Sequence, residues 1–594
     1  MPSGIYFGLP TMATANAMYE RLGEVYRQLY DDQTNPSLIL AHGGRNLSDK
    51  FRQSLLPEIH LPESQHDRND ATPASLHCSQ WLADNRKKAL LAELGIGTID
   101  QALLGILPSR HQSLRLLGLM HKVLLVDEVH ACDAYMRPLL CNLLHAHAMA
   151  GGSAILLSAT LPQSQRQELL DAFTDGLKQP RQTLQSNAYP LLTHLKDGKP
   201  VEFPLDTRPA VRRHVHVDFV DSLQAIEQRL TDSFHSGQCV CWIRNTVADA
   251  REAYSQLKIQ HPEWPIDLFH ARFTLADRLT IEQRVLERFG KKSKHEQRKG
   301  QILIATQVVE QSLDLDFDHF ITDLAPIDLI IQRAGRLHRH RRDTDGNPID
   351  AKDQRPEATL TIHAPTWSDK PTAGWFKDPF PSAQAVYEDH GQLWLTMKLL
   401  RENGGFRMPE DARSLIEGVY DVDQEIPDGL IQANIKADGN NKAKASMGNS
   451  NCINLEGGYN SDDTFTWWDE AITPTRLGEE TTTVWLARWE NGELKPFHNQ
   501  PPFAWQQSSV SMRTALIAET APNPAIPEEI VDACREQLPA QGKWGVLLPL
   551  VKEKPGIWSG VVKDLDDNKT TFYYDFRQGL MTTKEYNQLK EHSQ

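Results

Sequence analysis

The sequence predicts an α/β protein of two tandem parallel-sheet lobes, followed by a linker region and a small C-terminal domain. Three observations carry this. Short apolar runs alternate with longer amphipathic ones from Gly4 to about Leu205; a second series of the same kind follows a break at PLDTRPAVRR (204–213); and beyond Pro365 Trp, Pro and Gly become more frequent. Alternating strand and helix patterns are what a parallel sheet with crossover helices requires.

A chain of 594 residues is too long for one core. Lobe one (1–205) should hold the strands GIYFGLP (4–10), SLILAH (37–42), KVLLVDE (122–128) and SAILLSAT (153–160), with a polar surface insert at Pro57–Thr72. Lobe two (206–365) should hold HVHVDFV (214–220), QCVCWIR (238–244), IDLFH (266–270), QILIATQ (301–307), HFITDLA (319–325) and ATLTIHA (358–364). Each strand ends in small or polar residues, and open parallel sheets bind ligands at the carboxyl ends of their strands. Residues 366–480 read as a helical or irregular linker region, with Ala433–Asn460 as a mobile, turn-rich stretch. Residues 481–594, with WLARW and KWGVLLPLV, read as an accessory domain. No repeat of fixed period occurs, although the two lobes read as distant copies of one another.

Hydrophobic content of 40% and charged content of 24% fit a folded, water-soluble chain. No apolar run reaches the roughly 18 residues of a membrane span, so no membrane partner and a cytoplasmic location are expected. The seven cysteines are scattered without a C-x-x-C, which fits reduced thiols, with Cys239 and Cys241 sharing a strand face. The net charge of −15 describes long-range steering and not any single groove. Two basic stretches stand out, Lys291–Lys299, expected as a solvated loop, and Arg333–Arg342, which lies within a chemical motif.

Asp127-Glu128-Val129-His130 leaves the apolar strand KVLLV, where a nucleotide-hydrolysing protein needs its carboxylates. Asp127 would hold Mg²⁺ through water, and Glu128 would orient and deprotonate the water attacking the γ-phosphate of ATP. An acidic pair at a strand exit is by itself a modest signal. Ser158-Ala159-Thr160, leaving the next strand, strengthens it, with His130 as the expected partner of those hydroxyls. In the second lobe Gln332-Arg333-Ala334-Gly335-Arg336-Leu337-His338-Arg339 reads as Q-x-x-G-R-x-x-R on a helix beginning near Asp328. Arg336 and Arg339 would then share a helical face and act as arginine fingers, with Gln332 and Gly335 on the nucleotide. In the loop TQVVEQSLDLDFD (306–318), Asp314 would meet the ribose or Arg339, and Thr306 and Ser312 would touch the nucleic-acid backbone or the nucleotide edge.

The ordered set FGLPTMATANAMYERL (7–22), GTIDQALL (97–104), VDEVHACDAYM (126–136), LSATLP (157–162), CWIRNT (241–246), FHARF (269–273), ATQVVEQSLDLDFD (305–318) and IQRAGRLHRH (331–340) resembles the signature helicase-nuclease of type I CRISPR systems, the subtype I-E form in particular. That resemblance implies RecA-like lobes of a superfamily 2 helicase. It also implies ATP and Mg²⁺ as cofactors, and single-stranded DNA and an RNA-guided CRISPR surveillance complex as partners. Pro10, Thr11, Thr14 and Asn16 would belong to one DNA-backbone motif and Gly97, Thr98 and Asp100 to a second, with Asn245, Thr246 and Arg272 as their counterparts in lobe two. Strand-exit hydroxyls, amides and helix N-termini suit phosphates.

The family's G-x-x-x-x-G-K-[ST] loop, which cradles the phosphates, occurs nowhere in the 594 residues, and Met1 stands just upstream of FGLPT. Slow or absent ATP turnover is therefore expected unless a separate N-terminal nuclease and phosphate-loop segment complements the chain. A missing central strand should leave its parallel neighbours unpaired and the chain poorly soluble alone. The family's nuclease set is also missing: His66-Asp67 reads as a loop accident, and the H-x-H pairs at 145/147, 214/216 and 338/340 as structural residues. A catalytically inactive DNA-binding remnant, or another superfamily 2 helicase acting on RNA or in DNA repair, are the alternatives.

Overall fold

A computed structural model describes residues 3–29, 38–41, 89–109, 111–310, 313–421, 424–455, 474–477, 480–543 and 545–591. The polar insert, His66-Asp67, Cys78 and Ser312 lie outside the described residues. Two compact units are present: Met1–Pro209 with Ala412–Asp421 and Ala437–Leu477, and Ala210–Asp411 with Val422–Lys436 and Gly478–Gln594.

The first unit is built on a five-stranded sheet of β1 (Ile5–Leu9), β2 (Leu38–Ala41), β3 (Leu94–Thr98), β4 (Val123–Val126) and β5 (Ser153–Leu156), in the order β2-β3-β1-β4-β5. All its pairings are parallel. Sequence patterning missed β3 as a strand because LGIGT has two glycines and weak strand propensity. Tertiary packing overrides that: the buried Tyr6 hydroxyl donates to the Thr98 carbonyl at 3.0 Å. A Cβ on Gly97 would sit 2.1 Å from the Ala41 carbonyl oxygen, so the neighbouring strand demands glycine there. Leu124, Val126, Leu139, Leu143 and Leu144 form the core between β4 and the helix Met136–Met149.

The expectation of a gap in the centre of this sheet is corrected. β1 is paired on both sides, to β3 and β4, and the described ladder is continuous. Exposed apolar surface lies instead on β5, which among the described strands pairs only with β4. There Ile155 and Leu157 are 47% and 45% exposed. An antiparallel hairpin of β6 (Leu191–Lys196) and β7 (Lys199–Pro204) completes the described strands of this unit.

A second correction concerns Ala433–Asn460. Instead of a turn-rich linker, Ile431–Asn451 is one helix of 21 residues. Gly439, Asn440, Asn441 and Gly448 are poor helix formers, but the small residues let the helix dock closely. Gly448 lies against the backbone of Tyr135 and the ring of Pro138, and Ala437 and Cys452 are buried. Packing, and not propensity, supports this helix.

The second unit contains β8 (Arg213–Val220), β9 (Val240–Ile243), β10 (Ile266–Phe269), β11 (Ile302–Ala305), β12 (His319–Asp323), β13 (Thr359–His363) and β14 (Gly405–Met408), ordered β10-β11-β9-β12-β13-β8-β14. With β9 set against β1, its first five positions repeat the strand order of the first sheet. The continuously apolar β9 and β11 are buried at every residue, as strands covered on both faces must be. β8 lies beyond β13; in the first sheet the equivalent place is the outer edge of β5. β14, from the stretch read as linker, adds an antiparallel edge. Residues 481–591 form a further sheet from β15 (Thr481–Glu490) through β16 (Glu493–Pro496), β17 (Ser509–Arg513), β18 (Glu519–Thr520), β19 (Gly545–Lys554), β20 (Ile557–Lys563) and β21 (Lys569–Asp575) to β22 (Gly579–Thr582). No described helix is long and apolar enough to cross a membrane.

His319 opens β12 inside the second unit, its ring nitrogens 2.9 Å from Ser233 Oγ and 3.0 Å from Thr361 Oγ1. Burial, with Arg229 adding to it, pushes the imidazole down from 6.5 to about 4. Between these values the unfolded chain takes up a proton that the folded chain refuses, so stability is complete above the upper value and falls as pH drops through the window. Thermal midpoints should therefore decline from pH 6.5 toward 4, and His319→Gln should flatten that slope. An unaltered slope in the variant would remove His319 from the effect.

Candidate nucleotide and nucleic-acid site

In both sheets the chain reverses its winding direction at the central strand, which opens a crevice at the carboxyl ends of the strands on either side. In the first sheet that crevice lies where β1 and β4 end. Asp127 is the first residue past the last β1–β4 pair; its amide donates to the Gly8 carbonyl at 3.0 Å and its Oδ1 accepts from the Glu128 amide at 3.0 Å. Glu128 has φ 54°, left-handed backbone that is uncommon for a residue with a side chain. Its carboxylate is 43% exposed, and its Oε2 is 3.5 Å from His130 Nδ1.

His130 joins this loop to the next strand exit. Its Nδ1 lies 2.9 Å from Ser158 Oγ, and the Val129 amide donates to the Leu157 carbonyl at 3.0 Å. The structure thus brings Asp127, Glu128, His130 and Ser158 together. Thr160 is 2% exposed, and its Oγ1 has no hydrogen-bond partner among the described residues.

The residues proposed for the nucleic-acid backbone in this unit cluster at the exits of β1 and β3. Thr11 precedes the helix Met12–Leu29 and exchanges hydrogen bonds with Thr14, each amide donating to the other's hydroxyl at 3.2 Å. Asn16 lies one turn further along the helix, partly buried. Thr98 precedes the helix Ile99–Leu103. Asp100 is partly exposed but already paired: Arg476 grips both its oxygens at 2.9 Å and the Thr475 hydroxyl donates to it at 2.8 Å. Burial opposes ionisation, but these hydrogen bonds outweigh it and hold the carboxyl below its usual range. Arg476 also donates to the Pro10 carbonyl at 2.8 Å, tying the two motifs together. Sequence reasoning missed Arg476, which lies more than 370 residues from Asp100 and in no motif.

In the second unit several expectations change. The helix Ile327–Ala334 ends before Gly335, so Arg336 and Arg339 do not share a helical face. Arg336, 7% exposed, spends Nε on the Val309 carbonyl at 2.8 Å and Nη1 on the Gln332 carbonyl at 3.3 Å, and also reaches the Glu310 carbonyl. Arg339 is 43% exposed and pairs with Asp314 at 2.7 Å. A hydrogen bond from His340, working against partial burial and joined by Arg339, holds the Asp314 carboxyl down to about 2. Of the basic stretch Arg333–Arg342, Arg333 and Arg342 are wholly buried. Arg333 pairs with Glu310 at 2.7 Å and donates to the Thr322 hydroxyl at 2.6 Å. Lys291–Lys299 is exposed as expected, save for Ser293, Arg298 and the partly buried His295.

Thr246 caps the helix Val247–Gln260 through the Asp249 amide. Asn245 and Thr306, expected at the nucleic acid, are only 2% and 3% exposed. The Asn245 side chain donates to the Leu324 carbonyl at 2.9 Å, so it supports the strand exits from inside. Arg272 is committed to Glu585 at 2.6 Å, a carboxylate that also faces Arg251 at 3.4 Å. Asp323, one residue past the β9–β12 pairing as Asp127 is past β1–β4, is fully buried between Arg244 at 2.9 Å and His363 at 3.2 Å. The crevice that the first sheet leaves accessible is filled by ion pairs in the second.

Residues 236–342 match the family model described as CRISPR-associated nuclease/helicase Cas3, C-terminal. The chain is 37% identical over 437 residues to the CRISPR-associated endonuclease/helicase Cas3 of Escherichia coli K12, covering 70% of this chain and 45% of that protein. With Streptococcus thermophilus Cas3 it shares 31% identity, covering 71% and 43%. It thus spans about half the length of these relatives. The crystal structure of T. fusca Cas3 superposes with a TM-score of 0.77 at 27% identity, over 98% of this chain and 65% of the other, and its ATP form with 0.76 at 27%, over the same shares. A structure described as a CRISPR RNA-guided surveillance complex, pre-nicking, matches with 0.68 at 26% identity, over 98% and 68%. The chain is thus similar in sequence to the CRISPR-associated nuclease/helicases of the Cas3 family and similar in fold to their solved structures.

Proposed function

We propose that this chain is the motor portion of an ATP-dependent single-stranded DNA translocase or helicase of CRISPR defence, recruited to target DNA by an RNA-guided surveillance complex. The observation that carries this is the 2.9 Å link between His130 and Ser158, which couples the carboxylate loop after β4 to the hydroxyl loop after β5. Relatives crystallised with ATP, ADP and AMPPNP support the nucleotide, and the surveillance-complex match supports the partner. Asp127 would hold Mg²⁺ through water: it is a half-buried carboxylate anchored by one amide, an oxygen donor of the kind this ion takes. Bound there, the ion would neutralise phosphate charge. Glu128 would orient and deprotonate the attacking water, and Ser158 with His130 would report the nucleotide state to the loop beyond. Arg336, buried on backbone carbonyls, would act by holding the loop that carries Glu310, whereas the exposed Arg339 would be the phosphate-seeking guanidinium. Gln332 and Gly335 would complete that motif, with Thr160, Asp314 and Thr306 around the nucleotide and strand exits. Pro10, Thr11, Thr14, Asn16, Gly97, Thr98, Asp100, Asn245, Thr246 and Arg272 would form or support the DNA-backbone surfaces.

No G-x-x-x-x-G-K-[ST] loop occurs within these 594 residues; turnover would need one beside them, in the same polypeptide or supplied as a segment, on a parallel strand outside β5, where β8 stands in the second sheet. Mixing tests this. ATPase activity that is stimulated by single-stranded DNA and appears only with the added segment supports the split motor. Intact DNA binding without any restored turnover favours the second reading, an inactive DNA-binding remnant.

A further inference from the structure

The loop that leaves β5 is held from outside its own strand and helix. The Ala159 carbonyl accepts the Tyr189 hydroxyl at 2.5 Å. Two residues on, the Leu161 carbonyl accepts Arg413 Nη1 at 3.2 Å, and two further, the Gln163 amide donates to Glu417 Oε1 at 2.9 Å. Arg413 and Glu417 are themselves paired at 2.9 Å, one turn apart on the helix Ala412–Tyr420. The guanidinium of Arg413 lies 5.8 Å from the centre of the Tyr189 ring, within cation–π range. Tyr189 therefore stands between a catalytic-motif carbonyl and a cation. Burial and the Glu128 carboxylate raise its phenol above the usual range while Arg413 opposes them, so it stays a proton donor to Ala159 near neutral pH.

Ser158 and Ala159 are thus each held by a side chain from elsewhere, the first by His130 and the second by Tyr189. We propose that Tyr189 and Arg413 are positioning residues for the candidate ATP site, fixing the Ser158–Thr160 loop where His130 can take the Ser158 hydroxyl. This rests on the ATPase reading given above. The clasp is also continuous with the rest of the chain. The helix Ala412–Tyr420 belongs to the first unit, yet the chain through Asp411 and again from Val422 belongs to the second.

Tyr189→Phe keeps the ring under Arg413 and deletes only the hydroxyl. In the 594-residue chain mixed with the phosphate-loop segment, it should lower the kcat of single-strand-stimulated ATP hydrolysis about 3- to 10-fold, the worth of one hydrogen bond felt in the transition state. KM for ATP and the thermal midpoint should stay within about twofold and a few degrees of wild type. Arg413→Ala should lower kcat in the same sense, and Arg413→Lys, which keeps the charge near the ring, should recover part of it. In the chain alone, hydrogen exchange of the Leu157–Leu161 amides should speed up in Tyr189→Phe. Unchanged kcat together with unchanged exchange overturns the proposal; a fall in the thermal midpoint with normal kcat per folded molecule does so too, since it marks a purely structural contact. Absence of Glu128-dependent turnover in the wild-type mixture overturns the ATPase reading itself, and the proposal with it.

Discussion

Replacing Glu128 with Gln is expected to cut the ATP turnover of the complemented protein by about 10²- to 10⁴-fold while leaving nucleotide binding in place. The reason is local. Asp127 is anchored by the Glu128 amide and is expected to keep its ion contact in the variant, and the His130–Ser158 link does not pass through the Glu128 carboxylate. What is lost is the Glu128 carboxylate, 43% exposed at the exit of β4, which would take the proton from water while Asp127 is kept for the ion. Glutamine has nearly the same shape and still accepts a hydrogen bond, so the left-handed turn at residue 128 should persist. Nucleotide affinity by fluorescence and turnover by phosphate release would be measured on the same preparation. Equal turnover in variant and wild type would take Glu128 out of the mechanism; loss of binding alongside turnover would recast it as a structural residue.

How much of this was legible in the sequence depends on how local each feature is. Asp127-Glu128 and Ser158-Thr160 were readable because a strand exit is a local event: an apolar run, then polar residues at the end of a parallel strand. The His130–Ser158 partnership followed from motif order and is present at 2.9 Å. Three failures have physical causes. Arg336 and Arg339 look like neighbours on a helix only if the helix continues, yet it stops before Gly335, and burial then turns Arg336 onto backbone carbonyls. Ile431–Asn451 carries loop-like composition, but its small residues serve close packing that no periodicity announces. Asp100 and Arg272 are assigned to DNA-backbone motifs without their ion-pair partners, because Arg476 and Glu585 lie hundreds of residues away. An ion pair of that separation leaves no trace in spacing, whereas a strand exit such as Val126-Asp127 is marked locally by the change from apolar to polar residues.

The largest stability effect is expected at Asp316, the buried centre of the ion network beneath Arg339. Its carboxylate, fully buried, meets Arg342 at 2.5 Å, Arg355 at 3.0 Å and Arg298 at 3.2 Å, and also accepts the His340 amide at 3.1 Å. Asp318 shares Arg298 and Arg355 at 2.9 and 2.8 Å. Removing one charge from such a set leaves guanidinium groups desolvated without a partner, a loss of about 3–5 kcal/mol. Asp316→Asn should therefore shift the unfolding of the second unit to markedly lower denaturant, followed by hydrogen exchange in β11 and β12 so that other transitions are not averaged in. The double variant Asp316→Asn with Arg342→Met should recover part of the loss, because one uncompensated charge is gone. A double variant as unstable as the sum of its parts would mean the groups do not act as a network. The same residues fix the loop that ends at Asp318, and with it the Asp314 carboxylate that holds Arg339. Under conditions where Asp316→Asn remains folded, turnover in the complemented protein should fall as well if Arg339 has the phosphate role proposed for it, since its guanidinium is then useful only while the Asp314 carboxylate that holds it stands still.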